Sequence, residues 1–336
     1  MLGKILMTAV NAVAPIVLLI ALGYILKRVG FLTEGFFKVA NKLVFNVTLP
    51  AMLFVNIYDI DSIADVRWDM VLYCLLALTV IFGIGWVLSR FTTRDLKKRG
   101  VVWQCVFRSN FAIIGLPLAQ SLGGTAGAAV AAVLSTFTIP AYNVYSVIAL
   151  SAYTGKKKGA GAVFKSIVTN PLTLGVIAGL VVLLLRAAQV LAFDRVVFSI
   201  ERDTRFIYKV LNDLKAMTTP VALIVLGGEC EFSSVKGMFR EIAVSVVGRV
   251  VIAPLIAIGS AVALSMAGIL PCGNGEYAAL IALYGSPVAV SSAIMASNMD
   301  NDGQLAAQLV FWTSIVSVGT IFLISCIMMG TGLLAV

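Results

Sequence analysis

Two arginines and two Gly-x-Pro triplets stand in otherwise apolar sequence, and these are the residues whose types and spacing could do chemistry. Arg108 and Arg249 fall inside hydrophobic runs. A cation at membrane depth is costly and is a functional hypothesis by default. Gly115-Leu116-Pro117 and Gly285-Ser286-Pro287 each fall near the middle of such a run. A proline in mid-helix removes a hydrogen bond and clashes with the carbonyl four residues back, so each triplet is expected to break its helix. A break leaves a half-helix N-terminus with unpaired N–H groups and partial positive charge, which is an anion site made of backbone. Polar residues flank both triplets: Asn110, Gln120 and Ser121 the first, Ser286, Ser291, Ser292 and Asn298 the second. The expected substrate site is therefore Asn110, Gly115, Pro117, Gln120, Ser121, Ser286, Pro287, Ser291, Asn298 and Arg249. For Arg249 the competing role is hydrogen bonding to carbonyls freed by a broken helix. For Arg108 it is snorkelling to the headgroups. Pro15, Pro50, Pro140, Pro220 and Pro254 read as ordinary kinks.

No carboxylate lies in mid-span, which favours an anionic substrate over cation exchange. Ser135, Thr136 and Asn143 are candidate neutral ligands for a coupling ion, and whether that ion is Na+ or H+ stays open. The 336 residues contain no histidine, which removes Ser-His-Asp and Cys-His catalysis, His-ligated zinc and imidazole relays. The five cysteines are scattered singly, so neither a metal site nor a disulfide framework is expected. No enzyme and no resident cofactor is expected.

These residues must be held by membrane helices. The chain is 60% hydrophobic and 12% charged, with a mean hydropathy of +1.01. A soluble domain carries about 25% charged residues. A span needs about 20 apolar residues, and ten such segments are expected: 8–26, 36–57, 70–90, 101–123, 126–152, 163–186, 207–228, 240–268, 277–298 and 305–333. The first resembles a signal peptide's apolar stretch and reads as an uncleaved helix. The net charge of +9 sorts by loop, not by any nucleic-acid patch. Lys27, Arg28, Arg90, Arg94, Lys97, Lys98, Arg99, Lys156, Lys157, Lys158, Lys165, Lys236 and Arg240 fall on one side. Lys4, Arg67, Arg186, Arg195, Arg202, Arg205 and Lys209 fall on the other. The richer side is cytoplasmic by the positive-inside rule, which puts both termini outside. The stretch 187–206 carries Asp194, Glu201 and Asp203 beside its arginines and reads as a polar surface helix. Lys209 and Asp213 are spaced to pair on one helix face.

The halves resemble each other. Lys38-Val39, Asn41, Leu43, Thr48 and Ala51 recur as Lys209-Val210, Asn212, Leu214, Thr219 and Ala222, and the two Gly-x-Pro triplets recur in register. Residues 1–155 and 156–336 thus read as two five-helix repeats, the second inverted because five is odd. Inverted repeats with interrupted helices are the architecture of secondary transporters.

Phe31-Leu32-Thr33-Glu34 with Asn41 and Pro50, Asn110 through Pro117, Asn170-Pro171, and Pro287 with the stretch from Ala296 to Gln304 resemble the auxin efflux carrier family. The likeness is to bacterial malonate- and malate-permease-like members, with the plant PIN carriers more distant. It implies an all-α fold of ten helices, bile-acid-symporter-like, with broken and crossing fourth and ninth helices. It implies a scaffold of helices 1, 2, 6 and 7, a transport domain of helices 3–5 and 8–10, and a homodimer through the scaffold. It assigns Asn110 to the substrate carboxylate. The long central hydrophilic loop of plant members is missing. The expected protein is a secondary carrier for small organic anions in a bacterial inner membrane. A sodium-coupled symporter of the same fold and an anion channel are the alternatives.

Overall fold

The computed structural model describes residue 15 and residues 18–59, 67–153, 169, 171–229 and 237–334. The expectations that fall on Lys4, Lys156–Lys158, Lys165, Asn170 and Lys236, and on most of the first span, lie outside the described residues.

All regular elements among the described residues are helical. The first, α1 (18–28), leads to α2 (Glu34–Leu43), whose N-cap Thr33 accepts a bond from the Phe36 amide. A wide π turn at Val44–Thr48 joins α2 to α3 (Leu49–Tyr58). Next come α4 (Trp68–Thr92) and α5 (Leu96–Phe107), the latter capped by Asp95. A second π turn (Phe111–Gly115) opens α6 (Leu116–Ser151). Gly124 bends α6 with φ 61° and ψ −148°, a conformation that glycine adopts without steric cost. Then follow α7 (Pro171–Phe193), the single turn α8 (Ile200–Asp203) and α9 (Arg205–Glu229). The last group is α10 (Phe239–Val247), a third π turn (Gly248–Ile252), α11 (Ala253–Met266), α12 (Asn274–Gly285), α13 (Val290–Asn298) and α14 (Gly303–Gly330).

Each π turn precedes an X-Pro step at the start of the next helix: Leu49-Pro50, Leu116-Pro117 and Ala253-Pro254. Proline in the first turn costs little, because the N–H it lacks has no helical partner there. Pro140 and Pro220 stay inside α6 and α9.

Among the described residues, seven helices are long and apolar enough to cross a membrane: Glu34–Val55, Trp68–Thr92, Leu118–Ser151, Thr173–Phe193, Arg205–Gly228, Phe239–Met266 and Gly303–Gly330. Two of the ten expected spans, 101–123 and 277–298, are not continuous helices. Each is a pair of shorter pieces joined at a break. The sixth span runs to Phe193, past the expected end, so Arg186 is inside a helix. Its Nη1 donates to the Tyr58 carbonyl at 2.7 Å and its guanidinium stacks on the Tyr58 ring. The stretch 187–206 is not one surface helix. Asp194 turns the chain with φ 53°, and only Ile200–Asp203 is separately helical. Its Asp203 carboxylate is held below its ordinary pKa by Arg202. Lys209 and Asp213 do pair, at 2.9 Å.

Buried apolar residues form two clusters. One is built on α2, α3, α9 and α13, the other on α4, α6, α11 and α12. α1 and α9 approach at glycines: a Cβ on Gly23 would meet the Ile224 carbonyl, and one on Gly227 the Ile20 carbonyl.

Candidate functional site

The site is built where two helices stop. α5 ends at Phe107, and Arg108 (φ −79°, ψ 117°) and Asn110 (φ −83°, ψ 46°) leave helical geometry. α12 ends at Gly285; Ser286 (φ −61°, ψ 148°) and Ala289 (φ −64°, ψ 136°) are extended before α13 begins. The two breaks lie side by side and antiparallel, with a bridge between Ser109 and Val288. The Asn110 N–H donates to the Pro287 carbonyl at 2.8 Å, and the Val288 N–H to Thr313 Oγ1 at 3.2 Å.

The second break falls on Ser286-Pro287, where the triplet predicts it. The first does not fall on Gly115-Leu116-Pro117. It lies several residues earlier, at 108–110. Leu116-Pro117 instead opens α6, a position that tolerates proline. Gly115 packs against Phe111 and faces the Ala282 carbonyl, where a Cβ would come within 3.0 Å of that oxygen.

Every break exposes both poles of a helix, and Arg249 sits at the negative ones. Arg249, on the third π turn, is 0% exposed. Its Nε donates to the Ser286 carbonyl at 3.0 Å and its Nη1 to the Phe107 carbonyl at 2.9 Å. Its Nη2 donates to the Leu283 and Tyr284 carbonyls at 3.2 and 3.0 Å. One planar fork thus caps the C-terminal ends of α5 and α12 together, where unpaired carbonyls and partial negative charge collect. Of the two roles weighed for Arg249, this geometry is the carbonyl-capping one; it does not line the cavity described next.

Arg108 faces the other way. It is 4% exposed, so it does not snorkel. Its Nη1 donates to Ser146 Oγ at 2.6 Å and the Tyr142 carbonyl at 3.1 Å. Its Nη2 donates to Asn143 Oδ1 at 2.8 Å and Ser291 Oγ at 2.9 Å. Its Nε has no partner, nor do the buried Nδ2 atoms of Asn110 and Asn143. These are three buried donors without acceptors in one neighbourhood. No Asp or Glu is among the buried residues described.

A cavity of about 50 Å³ opens beside them. On one side lie Arg108, Ser109, Asn110 and Ala112 from the first break, and Ala289, Val290 and Ser291 from the second. Both chain stretches that start a helix after a break therefore reach it. Across from them are Leu49, Met52 and Leu53 of α3, and Thr218, Thr219 and Ala222 of α9; Ile139 and Tyr142 of α6 complete the wall.

Of the expected substrate residues, Asn110 and Ser291 line this cavity, and Ser286 and Pro287 form the break behind it through their backbone. Gln120 and Ser121 are exposed. Asn298 is elsewhere: its Nδ2 donates to Asn41 Oδ1 at 2.6 Å, linking α13 to α2. The three residues expected to hold an ion do not converge. The Ser135 and Thr136 hydroxyls both donate to the Ala132 carbonyl of their own helix, whereas Asn143 belongs to Arg108. In sequence, Arg108 was weighed but left out of the expected site, Thr219 entered only through the repeat, and Tyr142 and Thr218 were not singled out. The intramembrane charge was the available signal for Arg108. The snorkelling alternative assumed an unbroken helix, and the break at Arg108 turns the side chain inward.

Long apolar helices folded around a buried cavity with one arginine in its wall, set at paired helix breaks, define a multi-pass membrane protein of transporter type. A family model described as "Membrane transport protein" matches residues 8–325, and the chain belongs to this auxin efflux carrier-like family. It is similar to an uncharacterized transporter of Methanothermobacter thermautotrophicus, 24% identical over 318 residues, covering 93% of this chain and 96% of that one. It is also similar to an uncharacterized transporter of Methanocaldococcus jannaschii, 24% identical over 318 residues, covering 92% and 95%.

Proposed function

We propose that this transporter is a secondary carrier for small organic anions, carboxylates in particular, working by alternating access. The observation that carries the reading is Arg108: a buried guanidinium with an unpaired Nε, and no buried carboxylate among the described residues. A buried cation without a counter-charge is costly, and an anionic substrate would supply that charge. The unpaired Asn110 amide adds a neutral donor, which binds a carboxylate without trapping it.

The reading extends to architecture. Ten spans would form two inverted five-helix repeats, 1–155 and 156–336. Helices 1, 2, 6 and 7 would be a scaffold and dimer surface, and helices 3–5 and 8–10 the moving domain. The cavity fits that division, because α3 and α9 supply one wall and the broken segments the other. The protein would sit in a bacterial inner membrane with both termini outside, and its coupling ion would be Na+ or H+.

The test is counterflow. Proteoliposomes preloaded with an unlabelled carboxylate should transiently accumulate the labelled one above equilibrium. Saturable counterflow supports a carrier. Flux without counterflow would mean an anion channel, and flux only with sodium a symporter.

A further inference from the structure

We infer that the preferred substrate is a short monocarboxylate with an apolar tail, not a dicarboxylate. This rests on the anion-carrier reading and narrows it. The cavity's polar end is built from the two breaks and α6. Arg108, Asn110 and Ser291 meet there with Tyr142, whose carbonyl Arg108 bonds, and the unpartnered groups of the lining, Arg108 Nε, Asn110 Nδ2, Ser109 Oγ and the Tyr142 hydroxyl, all belong to these segments. The second buried arginine does not reach the substrate, because its Nε, Nη1 and Nη2 are engaged by four backbone carbonyls.

The opposite end is neutral. Leu49, Met52, Leu53 and Ala222 line it, and the Thr218 hydroxyl is taken by the Leu214 and Thr48 carbonyls. Thr219 adds one hydroxyl, which is no substitute for a cation. A second carboxylate pointed at this wall would be a buried charge without a partner, which costs far more than burying a methyl group.

Size agrees with a short ligand: one water needs roughly 10–15 Å³ of such space, so about 50 Å³ is room for only a few.

The test uses the purified full-length protein in detergent at pH 7.5, where all the probes are ionised. Acetate, propionate, malonate, succinate and chloride are compared by calorimetric binding. Propionate is expected to bind at least tenfold more tightly than malonate or succinate, and also more tightly than chloride. Arg108→Gln is expected to lose propionate binding. Met52→Lys, which places a cation on the neutral wall, is expected to bring malonate to within about threefold of propionate. Malonate or succinate binding as well as propionate in the wild type would overturn this inference and leave the anion-carrier reading standing. Chloride binding as well as propionate would overturn the apolar-tail assignment. Propionate binding unchanged in Arg108→Gln would overturn the assignment of the polar end. Binding of none of the carboxylates would overturn both readings.

Discussion

The amide N–H of Asn110 donates to the carbonyl of Pro287 across 2.8 Å, so the main chain of one helix break is tied to the main chain of the other. Because the backbone of Asn110 makes this tie, its side chain is left over. Its Nδ2 is buried at the cavity without a partner.

Substituting that side chain should therefore separate binding from folding. Asn110→Ala should raise the carboxylate Kd by about one to two orders of magnitude, as for a lost bond of about 1.5–3 kcal/mol to a charged group. Its melting temperature should stay near the wild-type value, since no protein bond is lost. Asn110→Asp should bind more weakly still, because it sets like charge against the carboxylate in a poorly solvated place. Equal affinity across wild type and both variants, measured by calorimetry, would remove Asn110 from the site.

Arg249 should behave in the opposite way. Arg249→Ala leaves the ends of α5 and α12 uncapped in an apolar interior. A buried carbonyl left without a donor costs about 1–3 kcal/mol, and Arg249 serves four of them. Arg249→Lys should recover only part of this, because an ammonium lacks the planar fork that reaches carbonyls on two helices. Unfolding in detergent reads both. An unchanged midpoint for Arg249→Ala would contradict the capping role.

Asn298 bonds Asn41 between two helices and is not in the cavity lining, so it is expected to act on stability and not on binding. Asn298→Ala removes its bond to Asn41 and should cost about 0.5–1.5 kcal/mol of stability. Carboxylate affinity in the same protein should be unchanged. A tenfold loss of affinity without a loss of stability would return Asn298 to the site.

Orientation is tested at Asp95, which caps α5 in a loop rich in cations. A single cysteine at position 95, in a background without the native cysteines, should resist impermeant thiol reagents in intact cells. Rapid labelling would invert the proposed topology.

The sequence showed more of this site through its breaks than through its polar residues. Gly285-Ser286-Pro287 marks a break because the proline follows a helix end and cannot continue it. Gly115-Leu116-Pro117 looks the same in sequence, yet it begins a helix, since a proline in the first turn loses no bond. Pattern alone does not separate the two. Nor does it show whether a short break turns an arginine outward to headgroups or inward to a cavity, and that decided Arg108. Polar flank residues were the weakest guide. Serine and threonine in apolar helices often satisfy themselves on their own carbonyls, as Ser135 and Thr136 do. Long apolar runs were the strongest, because an uncharged helix of that length has few other places to fold.

A carboxylate carrier of this build needs Arg108 to hold the anion. The direct measurement is the melting temperature of purified wild type and Arg108→Gln, each titrated with propionate at constant ionic strength. Ligand that binds only the folded state raises the melting temperature with concentration. A saturable rise is expected for wild type and none for Arg108→Gln, with the unliganded variant still melting cooperatively. A rise of equal size and midpoint in Arg108→Gln would contradict it.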